Sequence, residues 1–135
     1  PGNEALGEAR RVMFEDGLVN RRQVLGDAWV DKSLANRNHF NGEFQEFITR
    51  IAWSQIWGRP GLDHRTRRLL VLATTIALGR WEEFRLHARA GIEQGGMTVE
   101  DLKEVIMQSA IYAGVPAANT AFHHGTDLLR ELGRL

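Results

Sequence analysis

The spacing of the apolar residues constrains this chain most: it follows a helical period and nowhere alternates as a strand would. Phe44, Phe47, Ile48, Ile51 and Ala52 fall at i, i+3, i+4, i+7 and i+8, one stripe of a helix. The Asn41-Gly42 pair ahead of that stripe therefore reads as a helix start, with Asn41 as N-cap, rather than as a hairpin tip. Only three prolines occur, at Pro1, Pro60 and Pro116, so long segments run without a breaker. The expected fold is all-α: one domain spanning residues 1–135, a bundle of about six to eight helices.

Turn signals place the elements. Leu6, Ala9 and Met13 mark a first helix that Gly17 is expected to end, with a second over 19–25 broken at Gly26. Asp27 caps a short piece holding Trp29 and Val30, and the next helix runs over 42–57 to the break Gly58-Arg59-Pro60-Gly61. Asp63 caps a helix over 64–78. Its segment from Leu69 to Leu78 is apolar on nearly every face, which predicts a central buried helix. Gly79 ends it, and a helix over 81–94 follows, closed by Gly95-Gly96. Thr98 as N-cap, Asp101 at the capping-box position and Met97 stapled to Leu102 start the next helix. It ends near Ala113-Gly114, and Pro116 opens the last one.

With no cysteine, a disulfide framework, a thiolate metal site, a catalytic thiol and a redox dithiol are all excluded. No apolar run reaches the ~18–20 residues that span a bilayer. The opening residues lack a basic flank followed by an apolar core, so no signal peptide and a cytoplasmic location are expected. Lys and Arg number 17 and Asp and Glu 17, and this zero balance gives no reason to expect nucleic acid or an anionic membrane as partner. The balance is uneven along the chain. Residues 59–91 hold seven basic side chains, all Arg, against three acidic ones. Arginine without lysine points to bidentate partners such as carboxylates. Pairing along a helix, Glu82 with Arg85 or Arg89 with Glu93, is the alternative use.

Few groups carry chemistry. His87 shares an inward face with Phe84, Ala88 and Gly91, and is either a core histidine or a general acid or base with a pKa near working pH. His123 and His124 are adjacent, point about 100° apart on a helix and cannot make an i, i+4 metal pair. Trp53 and Trp57 stand at i, i+4 and read as core or subunit-interface anchors. Tyr112, the only tyrosine, is either a structural hydrogen-bonding group or a site residue. No glycine-rich phosphate loop or serine nucleophile motif is present.

Several stretches together resemble the γ-carboxymuconolactone decarboxylase family. They are Arg22-Gln23-Val24-Leu25-Gly26-Asp27, Phe44-Gln45-Glu46-Phe47, the run from Trp57 to Leu70, Ala77-Leu78-Gly79-Arg80, Leu86-His87-Ala88-Arg89-Ala90, and Gln108 through Ala118. The resemblance covers roughly residues 15–130. The wider alkylhydroperoxidase D-like superfamily includes thiol enzymes with a CxxCxxxH motif. Here its positions hold Arg80, Glu83 and His87, and the relay glutamate falls at Arg68. Without a thiolate, peroxide reduction is excluded and the decarboxylase branch remains.

The resemblance implies an all-helical homo-oligomer, a trimer or a hexameric ring built from trimers. It implies a cofactor-free, metal-free lyase of protocatechuate breakdown in the β-ketoadipate pathway. The substrate would be 4-carboxymuconolactone, a small dicarboxylate lactone, and the product the enol-lactone of β-ketoadipate. On this basis His87 is expected as proton donor or oxyanion partner, with Tyr112 and Glu46 as second catalytic candidates, the glutamate orienting His87. Arg67, Arg85 and Arg89 are expected to bind carboxylates, and Trp57 to wall the site. A related lyase or binding protein for another small anionic lactone or keto acid is the alternative. Arg85 and Arg89 share a helix face from which His87 is turned about 200° away, so one neighbouring subunit could be needed to bring these groups together.

Overall fold

A computed structural model describes residues 2–135. Every regular element among them is helical: α1 (Asn3–Leu25), α2 (Asp27–Ala35), α3 (Gly42–Ile48), a π-helical segment (Thr49–Ile56), α4 (His64–Leu78), α5 (Trp81–Glu93), α6 (Val99–Tyr112) and α7 (Val115–Glu131). The chain divides into two compact units, one ending at Leu62 and one beginning at Asp63. Among the described residues no helix is long and apolar enough to cross a membrane.

In the first unit α1 does not stop at Gly17, contrary to the expectation from sequence. It runs unbroken to Leu25 and ends at Gly26, whose φ of 91° only glycine adopts readily. Gly17 is kept for contact: a Cβ there would lie 2.1 Å from the Thr49 carbonyl oxygen, so its absence lets α1 and the π segment touch backbone to backbone. Polar groups of α1 flank that crossing. Asn20 donates to the Trp53 carbonyl at 2.9 Å, and Asp16 accepts from the Ser54 hydroxyl at 2.7 Å.

The helix expected over 42–57 changes register instead of staying α throughout. The widening begins at Thr49, whose hydroxyl donates to the Gln45 carbonyl at 2.7 Å and competes with the regular ladder. At its far end the Trp57 amide donates to Ala52, the i→i+5 bond of a π turn. Trp53 and Trp57, four apart, therefore lie nearly one above the other, with ring centroids 5.2 Å apart and planes within 22°. Asn41 precedes α3 as expected, but its side chain makes no cap; its Oδ1 accepts from the Asn38 amide in the preceding turn.

The second unit follows its local signals closely. Asp63 caps α4 by accepting from the Thr66 amide at 2.8 Å, and Gly79 closes it in the left-handed region. Thr98 and Asp101 form the expected capping box at 2.9 and 3.0 Å. Pro116 lies in the first turn of α7. Leu72 and Ile76 of α4, Phe84 and Ala88 of α5, Ile106 of α6 and Leu128 of α7 make the dry core. The expectation of an all-round buried α4 is corrected. Only its Arg68, Leu72, Thr75 and Ile76 face is buried, while Leu70 and Leu78 are more than half exposed.

Candidate active site

Helix α5 presents chemistry on two faces, and the second unit supplies the groups that meet each. On the inner face His87 is buried, with its Nδ1 fully enclosed and its Nε2 3.8 Å from the Glu83 carboxylate one turn back. Beneath it Arg68 of α4, also buried, donates from Nη1 to the His87 carbonyl at 3.1 Å. Two glycines make room for that guanidinium. A Cβ at Gly91 would lie 2.8 Å from Arg68 Cδ, and one at Gly95 would lie 3.2 Å from its Nη2. Gly95, read from sequence as a helix end alone, thus also shapes the slot for Arg68.

These neighbours set the protonation state of His87. Burial and then the Arg68 cation push its pKa down to about 4, well below an ordinary histidine. Burial also works against the charge on Arg68, yet a guanidinium remains protonated in proteins. The imidazole beside it is therefore neutral at pH 7. It can donate one N–H or accept one proton, but imidazolium is scarce, at roughly one part in a thousand. The expectation of a histidine titrating near working pH is corrected by this burial, with the Arg68 cation adding to it.

On the outer face Arg85 and Arg89 converge on Glu131 of α7, at 3.3 and 2.6 Å. Arg89 also reaches Glu93 at 3.4 Å, the i, i+4 pair the sequence suggested, whereas Arg85 turns to Glu131 and to His124 Nδ1 at 3.3 Å. His124 in turn stacks on Trp81, with centroids 5.0 Å apart. The two arginines share a carboxylate on one side of α5, and His87 with Arg68 lies on the other, as the helical offset requires.

The remaining candidates are placed differently. Arg67 is half-buried on α4. Tyr112 is 86% exposed, so its hydroxyl is no buried structural group. It lines an apolar cleft of about 480 Å³ between α4 and α6, together with Leu69, Leu70, Ala73 and Ser109. Arg65 also lines that cleft and is held by Asp101, another lining residue, through two hydrogen bonds of 3.0 and 3.1 Å. This contact, with the capping interaction at Thr98, holds the Asp101 carboxyl well below the usual range. In the first unit Glu46 is paired with Arg37, and Trp57 is buried against Trp53. Among the described residues no group of three His, Asp or Glu is placed to hold a metal.

The family model for carboxymuconolactone decarboxylases matches residues 42–126. The chain belongs to the carboxymuconolactone decarboxylase family. The match runs from the start of α3 into α7 and contains Arg68, Glu83, His87 and the Arg85/Arg89 pair. Among family relatives, a 4-carboxymuconolactone decarboxylase of Acinetobacter baylyi is 45% identical over 120 residues, 89% of each chain. A nitrosuccinic acid decarboxylase of Metarhizium robertsii is 38% identical over 110 residues, 82% of this chain and 76% of its own. A 4-carboxymuconolactone decarboxylase of Pseudomonas putida is 59% identical over 39 residues, 29% of this chain and 81% of that sequence. Within this family frame, Arg68 is the residue that sequence reasoning left without a role. Its signal was present in the glycines that follow it, Gly91 on the next helix and Gly95 in the turn after that helix.

Proposed function

We propose that this protein is a carboxy-lyase that releases CO2 from 4-carboxymuconolactone to give the enol-lactone of β-ketoadipate, with no metal or organic cofactor. The observation that carries this reading is the 45% identity to a 4-carboxymuconolactone decarboxylase over 89% of both chains. The chemistry suits the residues. When the carboxylate leaves, the electron pair of the broken C–C bond spreads through the conjugated ring onto the lactone oxygen, so the substrate supplies its own electron sink. The protein needs a donor for that oxygen, cations for the carboxylates and a water-poor wall.

In this reading the neutral His87 is the oxyanion partner, donating Nε2–H, and the ring carbon takes its proton afterwards. The low pKa of His87 supports this role over that of an imidazolium acid. Arg67, Arg85 and Arg89 bind substrate carboxylates; because Arg85 and Arg89 lie on the face of α5 opposite His87, a neighbouring subunit supplies them to a given site, where they exchange Glu131 for substrate. Tyr112, Glu46 and Trp57 are second candidates, for proton delivery, orientation and walling. The active form is a homo-oligomeric ring, a trimer or hexamer, working in the cytoplasm. The exposed apolar side chains of α4 and α6, Leu70 and Tyr112 at the cleft and Leu78, Met107 and Ile111 elsewhere on the same helices, support assembly.

The second relative supports a neighbouring reading, in which nitrosuccinate is the substrate. A carboxylate next to a nitro group also leaves a carbanion delocalised onto oxygen, here as a nitronate. Turnover of both compounds, followed by ultraviolet absorbance with products identified by NMR, separates the two. The proposal expects kcat/KM on the lactone to exceed that on nitrosuccinate by at least about tenfold, unchanged by chelator. The reverse order transfers the assignment to nitrosuccinate, and no turnover of either removes the lyase reading.

A further inference from the structure

The first unit holds a buried cation with no counter-ion among the described residues. Arg21 of α1 is 8% exposed, and its guanidinium packs over the Trp29 ring at 5.3 Å. One nitrogen, Nη2, donates to the Ser33 hydroxyl at 2.9 Å, while the enclosed Nε has no hydrogen-bond partner. No carboxylate among the described residues pairs with it. Its neighbour Arg22 takes both nearby acids, Asp27 at 3.1 Å and Asp31 at 2.8 Å. A buried, uncompensated guanidinium is expensive to keep, and a bound anion is the ordinary remedy.

A pocket of about 240 Å³ opens beside it, lined by Trp29, Lys32, Ser33, Asn36, Asn41 and Gln45. None of the six is acidic, one is cationic, and the amides and hydroxyl can all donate. Ser33 joins the pocket to the buried charge: its hydroxyl accepts from Arg21 and donates to Gln45 Oε1 at a long 3.3 Å. An anion in the pocket can take that proton in place of Gln45, with Arg21 polarising the hydroxyl from behind. The volume equals about eight water molecules, room for a carboxylate and a short stem but little more. The indole face of Trp29 suits the hydrocarbon part of such a stem.

We propose that this pocket between α2 and α3 binds the carboxylate of a small aliphatic acid, through Lys32 and the Arg21-backed Ser33 hydroxyl. The site uses none of the residues discussed for decarboxylation and does not depend on that reading. The test is a titration of the full chain with succinate at constant ionic strength, following the Trp29 indole N–H by NMR. Succinate shifts that resonance saturably, and neutral succinamide does not. Lys32→Gln weakens succinate binding about tenfold, the loss expected for one charge-assisted contact, and Arg21→Met, whose charge acts through the Ser33 hydroxyl, weakens it by a smaller factor. If Arg21→Met does not fold, Lys32→Gln and Ser33→Ala decide. Equal shifts by succinate and succinamide, no shift at all, or unchanged affinity in the folded variants overturns the proposal. Tighter binding of inorganic phosphate than of succinate overturns the carboxylate assignment.

Discussion

Acidification should unfold this protein earlier than its carboxylates alone would, because of His87. In the unfolded chain His87 titrates at its ordinary 6.5, whereas in the fold it is held near 4. The folded state thus binds fewer protons over this window, and stability is lost as pH falls from 6.5 toward 4. The full displacement corresponds to on the order of 3 kcal/mol, with roughly 1.4 kcal/mol lost by pH 5.5 and about 2.5 kcal/mol by pH 4.5. That is a large part of the ordinary stability of a small fold. The assay is urea unfolding at several pH values between 7 and 4.5, on wild type and on His87→Gln, which has no titrating group there. The difference between the two curves isolates His87 from the acids. The carboxyl of Asp101 is depressed and exchanges its stabilisation for protons only below its ordinary 3.8, outside this window. Parallel pH curves for the two proteins would refute the buried, neutral His87.

Other expectations follow from the same contacts. If His87 acts as a neutral donor, kcat/KM on the lactone stays flat from pH 7 to about 5; a rise on acidification over that range would mark an imidazolium acid instead. Arg68→Met should raise the His87 pKa part of the way toward 6.5, measured by NMR titration, because burial is the larger cause and remains; an unchanged value removes Arg68 as a perturber. Gly17→Ala should destabilise by about 1–3 kcal/mol in chemical denaturation, since its Cβ would meet the Thr49 carbonyl oxygen at 2.1 Å and overpacking outweighs the helix propensity gained; a neutral or stabilising result would contradict the close crossing.

What was legible in the sequence was what local chemistry decides. Asp63 and the Thr98–Asp101 box mark helix starts because the capping oxygen and the amide it serves lie within three residues of each other. The end of α1 was misplaced because Gly17 answers to Thr49, 32 positions on, and no window around it contains that carbonyl. The π register at Thr49 was missed because hydrophobic spacing alone does not report a hydroxyl competing for Gln45. At the candidate site His87 was found from its inward face, and the opposite placement of Arg85 and Arg89 followed from helix geometry. The contribution of Arg68 was not found, because an arginine in a basic segment reads as exposed until Gly91 and Gly95 are seen to make a slot for it. For Tyr112 the sequence left a structural hydrogen bond and a site role open, and its 86% exposure at the α4–α6 cleft removes the first, which no local pattern around residue 112 reports.

The most direct test of the account is CO2 release from freshly generated 4-carboxymuconolactone by wild type, His87→Gln and His87→Ala. The account predicts turnover by wild type, a partial rate for His87→Gln, which keeps an N–H donor, and a loss of about 10²–10³ in kcat for His87→Ala, the usual effect of removing an oxyanion donor. Wild-type turnover by a folded His87→Ala protein would contradict it.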